Sequence, residues 1–317
     1  MFSELLGQGG LSLDRLQSFC LVAQAGGVTK AAKGDPAKQS LFSRQIKELE
    51  EFFGAELVRR KGRGIVLTSA GQRLNLLAQE CFASLWDFKT QCKALPTEIV
   101  IGAGESMIRW VVMPKLKEVQ KALSNARLKF LNLPTDEIVR RLSDGVIDFG
   151  IVRKGVVFRP LRFVPLGTLD YCLFLPPEGE GDAGRGDADL QVLDALALAT
   201  LEGEGSFRQE LAAIARARRL RLNIQLECSS FPEVATAVRS AGMAAILPTI
   251  AAVEILGDGI VEVNSSSLKR LGREMCLAWN PRLLRIRTAL EPACRTFAAA
   301  FRIPSPAVRT GAASTPR

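Results

Sequence analysis

Histidine is absent from this 317-residue chain. That absence removes Ser-His-Asp and Cys-His nucleophilic catalysis, histidine-ligated zinc and histidine-based proton transfer together. Only Asp, Glu, Lys, Cys and the single tyrosine, Tyr171, remain as candidate acids, bases or nucleophiles, and no pair of them stands at a spacing that compels an enzyme. The seven cysteines (20, 81, 92, 172, 228, 276 and 294) include no CxxC pair and are odd in number. A disulfide scaffold or cysteine-rich zinc site is therefore not expected, and a reducing cytoplasm fits best. No apolar run approaches the length of a membrane span, so no membrane partner is expected. The opening MFSELLGQGG lacks a basic stretch followed by an apolar block, so no secretory leader is expected. The GAG at 102–104 and GEG at 203–205 are too short for a phosphate-binding fingerprint, and no cofactor, metal or nucleotide site is read. No repeat with a period of 20–50 residues is visible.

What is present is positive charge and its placement. The net charge is +9, and the first 95 residues carry 13 basic against 9 acidic side chains. The most informative region is residues 38–63, KQSLFSRQIKELEEFFGAELVRRKGR. As a helix, its first part puts Leu41, Ile46, Leu49, Phe52 and Phe53 on a buried side. Lys38, Gln39, Ser43, Arg44 and Lys47 then fall on a wet side, and these polar types reach base edges and phosphates in a major groove. Arg59, Arg60, Lys61 and Arg63 follow around Gly62 and Gly64 as a basic tip. A solvated helix and a solvated loop account for either piece alone. In this order they favour a winged helix-turn-helix that reads DNA.

The flanking pattern extends that reading. Leu13, Leu16, Phe19, Cys20 and Ala23 recur at helical spacing up to Gly26-Gly27, and Thr29–Lys33 is a short second helix. Asp35-Pro36 makes a start for the third, because Asp caps and Pro is tolerated at the first helical position. Leu57-Val58 and Ile65-Val66-Leu67 form a two-stranded wing, and Thr68-Ser69 cap a helix running to about residue 94. In that helix Leu74, Ala78, Cys81, Leu85, Phe88 and Cys92 give a heptad seam suited to dimerisation. From Glu98 strands and helices alternate, which predicts a mainly parallel, helix-covered sheet. Strands are expected at 99–103, 128–131, 149–152, 171–175, 196–200, 224–228, 244–247 and 275–279. Helices are expected at 115–122, 135–143, 207–219, 232–241 and 283–301. The Gly/Asp-rich stretch 178–189 and the tail 303–317 read as disordered.

The run from LQSFCLVAQAGGVTKAA through FSRQIKELEEFFGAELVRRKGRGIVLTSAG resembles the N-terminal half of LysR-type transcriptional regulators. IVIGAG, VRRLSDGVIDFGIV and AVRSAGMAAILP resemble the effector domain of that family. The resemblance implies an α/β multidomain protein: a winged helix-turn-helix, a linker helix and a two-lobed α/β effector domain resembling type 2 periplasmic binding proteins. The expected boundaries are 11–68, 69–95 and 96–302, with lobes 96–160 plus 270–302 and 161–269. It implies a cytoplasmic regulator that binds double-stranded DNA, responds to a small-molecule effector and forms a homodimer or homotetramer. Thr29 and Lys30 would lie near phosphate; Gln39, Ser40, Ser43, Arg44 and Lys47 would face the major groove; Arg59, Arg60, Lys61 and Arg63 would form the wing contact. Where the family usually carries Ser-Gln-Pro, this chain has Lys38-Gln39-Ser40, and Asp35 replaces an apolar residue. A helix beginning at Asp35-Pro36 places Lys38 in its first turns as an added positive contact.

By the same resemblance, the effector meets helix N-termini lining a cleft between the lobes. Ser106 and Met107, Thr135, and Gly205, Ser206 and Phe207 match those places, and a small carboxylate is the default ligand. Glu105, Glu202 and Glu204 stand nearby and would repel an anion unless they point away. Thiol sensing by Cys172 or Cys228 is an alternative within the same fold. A solute-binding protein or an enzyme would be alternatives of another class.

Overall fold

The structure is a computed structural model that describes residues 9–304 except Arg63, Ala94, 178–186, Asp258 and Thr288. The expected tail beyond residue 304 and most of the 178–189 loop lie outside the described residues. Two compact units emerge: residues 1–97 with 144–146 and 282–287, and residues 98–143, 147–281 and 288–317.

The first described helix of the first unit is α1 (Leu13–Ala25), whose start is capped by the Ser12 hydroxyl accepting the Arg15 N–H. Gly26 ends it in the left-handed conformation, φ 68°, that a side chain would disfavour. The short α2 (Val28–Ala31) precedes α3 (Pro36–Phe53). Helix α3 starts where the Asp-Pro pair predicts: the Asp35 carboxylate accepts the N–H groups of Ala37 and Lys38, and Pro36 needs no partner for its missing N–H. The buried stripe of α3 is Phe42, Ile46 and Leu49. Leu41 and Phe53, expected inside, are exposed, so the inner face is rotated from the one proposed. Phe19, Val22, Phe42, Ile46, Leu49, Leu57 and Ala78 form one core.

Strands β1 (Val58–Lys61) and β2 (Gly64–Leu67) pair antiparallel, with Val58 opposite Leu67, and form the wing. Its base is pinned by the Glu50 carboxylate, which accepts the N–H groups of Leu57 and Val58 at 2.7 and 3.2 Å. Helix α4 (Ser69–Cys92) is capped by the Thr68 hydroxyl, which accepts the Gly71 N–H at 3.0 Å. Of the expected seam, Leu74 and Ala78 are drawn into the unit's own core. Cys81, Leu85, Phe88 and Cys92 stay exposed, joined by Leu77. The buried side of α4 is partly polar, and there Asp87 meets Arg287.

The second unit holds two five-stranded sheets. One runs β4-β3-β5-β12-β6, from β3 (Thr97–Ala103), β4 (Ala126–Asn132), β5 (Phe149–Arg153), β6 (Arg162–Leu169) and β12 (Arg273–Trp279). The other runs β11-β7-β10-β8-β9, from β7 (Tyr171–Leu175), β8 (Leu198–Leu201), β9 (Ile224–Cys228), β10 (Ala244–Pro248) and β11 (Val261–Val263). Strands β3 and β5, β8 and β9, and β8 and β10 pair parallel. Strand β12 is antiparallel to β5 and β6, and β7 is antiparallel to β10 and β11. The sheets are therefore mixed rather than mainly parallel. Antiparallel β6 and β11 were not anticipated: Pro165 argues against a strand at β6, where an edge place and the irregularity between Pro165 and Gly167 accommodate it.

Helices cover both sheets: α5 (Leu116–Ala122), α6 (Thr135–Ser143), α7 (Ser206–Arg218), α8 (Phe231–Ala241), α9 (Ala252–Ile255) and, later in the chain, α11 (Leu290–Ala300), whereas α10 (Pro281–Ile286) falls in the first unit from Arg282 on. The glycine of the GAG motif serves packing: a Cβ on Gly102 would approach Ile147 Cδ1 to 2.9 Å and Ile138 Cγ1 to 3.2 Å. The proposed lobe boundary at 160/161 also moves. Strand β6 belongs to the first sheet, and the chain changes sheet at Asp170. It returns near Gly272, whose added Cβ would lie 3.3 Å from Asp170 Oδ1, so the two crossings run side by side. Ile303, assigned to the tail from sequence, is buried and donates its N–H to the Leu166 carbonyl of β6.

Candidate functional site

Two groups of side chains carry chemistry, one in each unit. In the first, a concavity of about 440 Å³ gathers Thr29 and Lys30 of α2, Gln39, Ser40 and Ser43 of α3, and Arg60 of the wing. The wing reaches it because the Ile65 N–H bonds to the Gly26 carbonyl at 3.1 Å. A Cβ on Gly64 would lie 2.9 Å from that same carbonyl, so glycine permits the approach. Thr29 Oγ1 donates to Gln39 Oε1 at 3.4 Å, tying α2 to the wet face of α3.

Charges surround this surface. Lys38 lies 3.9 Å from the Asp35 carboxylate, Arg44 lies 3.6 Å from Glu48, and Lys47 lies 3.8 Å from Glu51. These pairs are exposed and hold their cations only loosely, so each can be exchanged for a phosphate. Arg59 is held by Glu56 at 2.6 Å, which turns it back toward the wing's own base. Arg60 and Lys61 are exposed. Arg63 lies outside the described residues.

In the second unit, residues from both sheets meet beside the crossing strands. Arg153, at the end of β5, donates from Nη1 to Ser206 Oγ at 2.9 Å. Tyr171, the first residue of β7, stacks on Phe207 with ring centres 5.4 Å apart, and Phe231 meets Phe207 edge-on at 5.0 Å. Gly205, Ser206 and Phe207 are thus brought together as expected, opening α7. Ser106 and Met107 lie in the turn after β3 that packs against α8, with the Met107 side chain buried. Thr135 opens α6 in the first lobe. Sequence reasoning missed Arg153, Tyr171 and Phe231, which are separated from Ser206 by 25 to 53 positions and carry no local motif.

A second polar link joins the lobes. The Arg109 guanidinium and the Trp110 indole N–H both donate to the Glu254 carboxylate, at 2.6–2.7 Å. The Arg109 hydrogen bond, with that of Trp110, holds the Glu254 carboxyl below the usual carboxylate range despite partial burial. At Tyr171, burial pushes the phenol up to about 12, with Arg273 and Arg153 pulling weakly the other way. Because Tyr171 is the only tyrosine in the chain, absorbance at 295 nm reports it directly. We expect no phenolate until well above pH ~10, where an unfolded tyrosine ionises. The folded state keeps its proton longer than the unfolded one, so stability is full below about pH 10 and falls as pH rises toward 12. A midpoint near 10 in the native protein would contradict this placement.

The two cysteines named as thiol sensors differ in their surroundings. Cys172 is fully buried, and burial, followed by Glu233 and Glu202, raises the Cys228 thiol above its ordinary value. Burial therefore disfavours the reactive thiolate at Cys228. Among the described residues no group of His, Cys, Asp and Glu could hold a metal ion, and no helix is long and apolar enough to cross a membrane.

A winged helix-turn-helix followed by a two-lobed α/β domain defines a class of one-chain regulators. Comparison with known proteins places the chain within it. The profile of the bacterial regulatory helix-turn-helix of the lysR family matches residues 13–72, and that of the LysR substrate binding domain matches residues 94–302. The chain belongs to the LysR family. The probable nitrogen assimilation transcriptional activator of Synechococcus elongatus is 31% identical over 146 residues, 45% of this chain and 47% of that protein. The regulator CysL of Bacillus subtilis is 24% identical over 264 residues, covering 81% and 88% of the two chains. The chain spans about half the length of the first curated relatives it matches. Among solved structures, full-length OxyR from Pseudomonas aeruginosa aligns with a TM-score of 0.63 at 17% identity, over 92% of this chain and 95% of that one. ArgP from Mycobacterium tuberculosis aligns at 0.61 and 21% identity, over 88% and 96%. These last two likenesses concern the fold.

Proposed function

We propose that the protein is a cytoplasmic transcriptional regulator that binds double-stranded DNA and responds to a small-molecule effector. The observation that carries the reading is the concavity shared by α2, α3 and the wing, with Thr29, Lys30, Gln39, Ser40, Ser43 and Arg60 on one surface. Gln39, Ser43, Arg44 and Lys47 face the major groove in this reading, while Lys30, Arg60 and Lys61 meet phosphates. Residues 11–68 form the DNA-binding part, 69–95 the linker helix, and 96–302 the effector part, with lobes that exchange at Asp170 and Gly272. Exposed Leu77, Leu85 and Phe88 on α4 supply an apolar strip for pairing into a dimer or tetramer. An effector between the lobes can change DNA affinity only by binding one assembly better than another.

The test is footprinting of the purified chain on the intergenic DNA beside its own gene and across genomic fragments. On a protected fragment, Lys38→Ala should weaken binding to all sequences and lower the slope of log K against log salt by about one, since one phosphate contact is lost. An unchanged slope would remove Lys38 from the interface. Absence of any protected fragment would remove the DNA reading itself.

A further inference from the structure

We infer that Cys81 and Cys92 of helix α4 form a reversible disulfide site shared by two copies of the chain, each thiol of one copy facing a thiol of the other. The inference rests on the pairing through α4 proposed above and adds a covalent lock to it.

The observation behind it is two exposed thiols on one strip. Of the seven cysteines, Cys81 and Cys92 alone are exposed; Cys20, Cys172 and Cys276 are buried, and Cys228 and Cys294 are half-buried. At ~100° per residue, Leu77, Cys81, Leu85, Phe88 and Cys92 fall within an arc of about 80° on α4. All five are exposed, and none carries a charge that a second copy would repel. The chain's own packing lies on the opposite side of the helix, where Asp87 and Thr90 are buried and Arg287 holds Asp87.

The spacing selects how two strips meet. Residues 81, 85, 88 and 92 stand four, three and four positions apart, a pattern that reads the same in both directions. A copy running antiparallel therefore sets Cys81 against the partner's Cys92 and Leu85 against the partner's Phe88. The two-fold axis passes between Trp86 and Asp87 and makes the thiol pair twice. The antiparallel sense also opposes the two helix dipoles. Packed helices lie about 8–10 Å apart with Cα atoms ~2.3 Å from each axis, so facing Cα atoms come within about 6 Å. That is inside the span of a disulfide.

The strip alone makes a weak pair. Leu77, Leu85 and Phe88 are 58%, 47% and 65% exposed. Together they offer on the order of 300–400 Å² per copy, about half of what each side of a stable interface covers. A covalent link therefore changes the state of the protein, because a linked pair does not part on dilution.

The reaction is thiol–disulfide exchange with a low-molecular-weight disulfide. The exposed Cys81 thiolate attacks one sulfur of the reagent, its S–S bond breaks, one thiol leaves and a mixed disulfide forms. The partner's Cys92 thiolate then attacks the Cys81 sulfur and expels the second thiol. Two protein thiols are oxidised by two electrons, the reagent is reduced to two thiols, and the two protein protons end on them. Excess reduced thiol runs both steps backwards, so in a reducing compartment the link is transient and regulatory.

The experiment incubates the reduced full-length protein with oxidised glutathione, blocks free thiols and separates the products by non-reducing electrophoresis. We expect a dimer band that dithiothreitol removes. Trypsin cuts at Lys89, between the two thiols, so the dimer band should yield a peptide pair joined from Cys81 to Cys92. Cys81→Ser and Cys92→Ser should each abolish the band, and mixing the two variants should restore it, since one thiol pair survives. Cys228→Ser should leave it unchanged, with circular dichroism confirming that all three variants fold. Single variants that still cross-link, or a Cys81-to-Cys81 peptide, overturn the antiparallel register. If reduced protein sediments as a dimer yet no band forms, the thiol site falls and the pairing stands. Reduced protein that stays monomeric at high concentration, with no band on oxidation, would instead strike the pairing itself.

Discussion

Replacing Gly71 by alanine should unfold the junction between the wing and α4. A Cβ built there would lie 2.0 Å from the Leu57 carbonyl oxygen and 2.9 Å from its carbon. Both atoms are backbone, so no rotamer change can relieve the overlap. The same carbonyl accepts the Thr68 N–H at 3.0 Å, and the Thr68 hydroxyl in turn donates to the Glu56 carbonyl. Moving Leu57 away from the new methyl therefore disrupts the cap of α4 and the entry to β1 together. Overpacking of this kind costs about 1–3 kcal/mol and occasionally more, whereas alanine in a helix gains only about 1 kcal/mol over glycine. With two backbone atoms in the way, we place the net loss at the upper end, about 3 kcal/mol. Thermal unfolding followed by circular dichroism measures it, and retardation of operator DNA should weaken in parallel because Arg60 and Lys61 ride on β1. Gly155→Ala, where nothing lies within 4 Å of the new Cβ and φ is unstrained, is the matched control and should stay within ~0.5 kcal/mol of wild type. A Gly71→Ala protein as stable as that control would mean the helix and wing do not pack as described.

The parts of this architecture that are local in sequence were readable from it. Asp35-Pro36 announces a helix start because capping needs only residues within one turn, and the carboxylate does accept Ala37 and Lys38. The wing was readable because two β-prone runs bracket glycines at a tight turn. Failures begin where tertiary context decides. Leu41 and Phe42 are equally apolar neighbours, and only the position of α1 selects Phe42 for the core. In α4 the heptad seam is real as a pattern, yet its first positions, Leu74 and Ala78, serve the domain's own core and the later ones remain on the surface. Strand β6 escaped notice because Pro165 argues against a strand, and its place at a sheet edge beside an irregularity in the pairing permits it. The interlobe group was half legible. Gly205, Ser206 and Phe207 stand out as a helix start, but Arg153 reaches them across 53 residues and carries no signal of its own. Long-range ion pairs are the least legible feature, since any arginine can pair with any carboxylate until the fold chooses.

Asp87 and Arg287 show what such a choice implies for stability. They are 200 positions apart, almost fully buried, and joined by two hydrogen bonds of 2.7 and 3.1 Å in a fork geometry. Taking both charges out of water costs much of what their attraction returns, so the intact pair contributes little net stability. Removing one partner is different, because the other charge then loses its fork partner while staying almost fully buried. We therefore expect Asp87→Ala and Arg287→Ala each to cost about 3–5 kcal/mol. At roughly 4 °C per kcal/mol for a unit of about 100 residues, either change lowers the midpoint of thermal unfolding by about 10–20 °C. The double variant Asp87→Leu with Arg287→Met keeps similar bulk and removes both charges, so it should lose less than either single variant. Thermal or denaturant unfolding of the four proteins closes the cycle. If the double variant instead loses the sum of the two single losses, the side chains act independently. The buried pair would then be two separate packing contacts rather than one electrostatic unit.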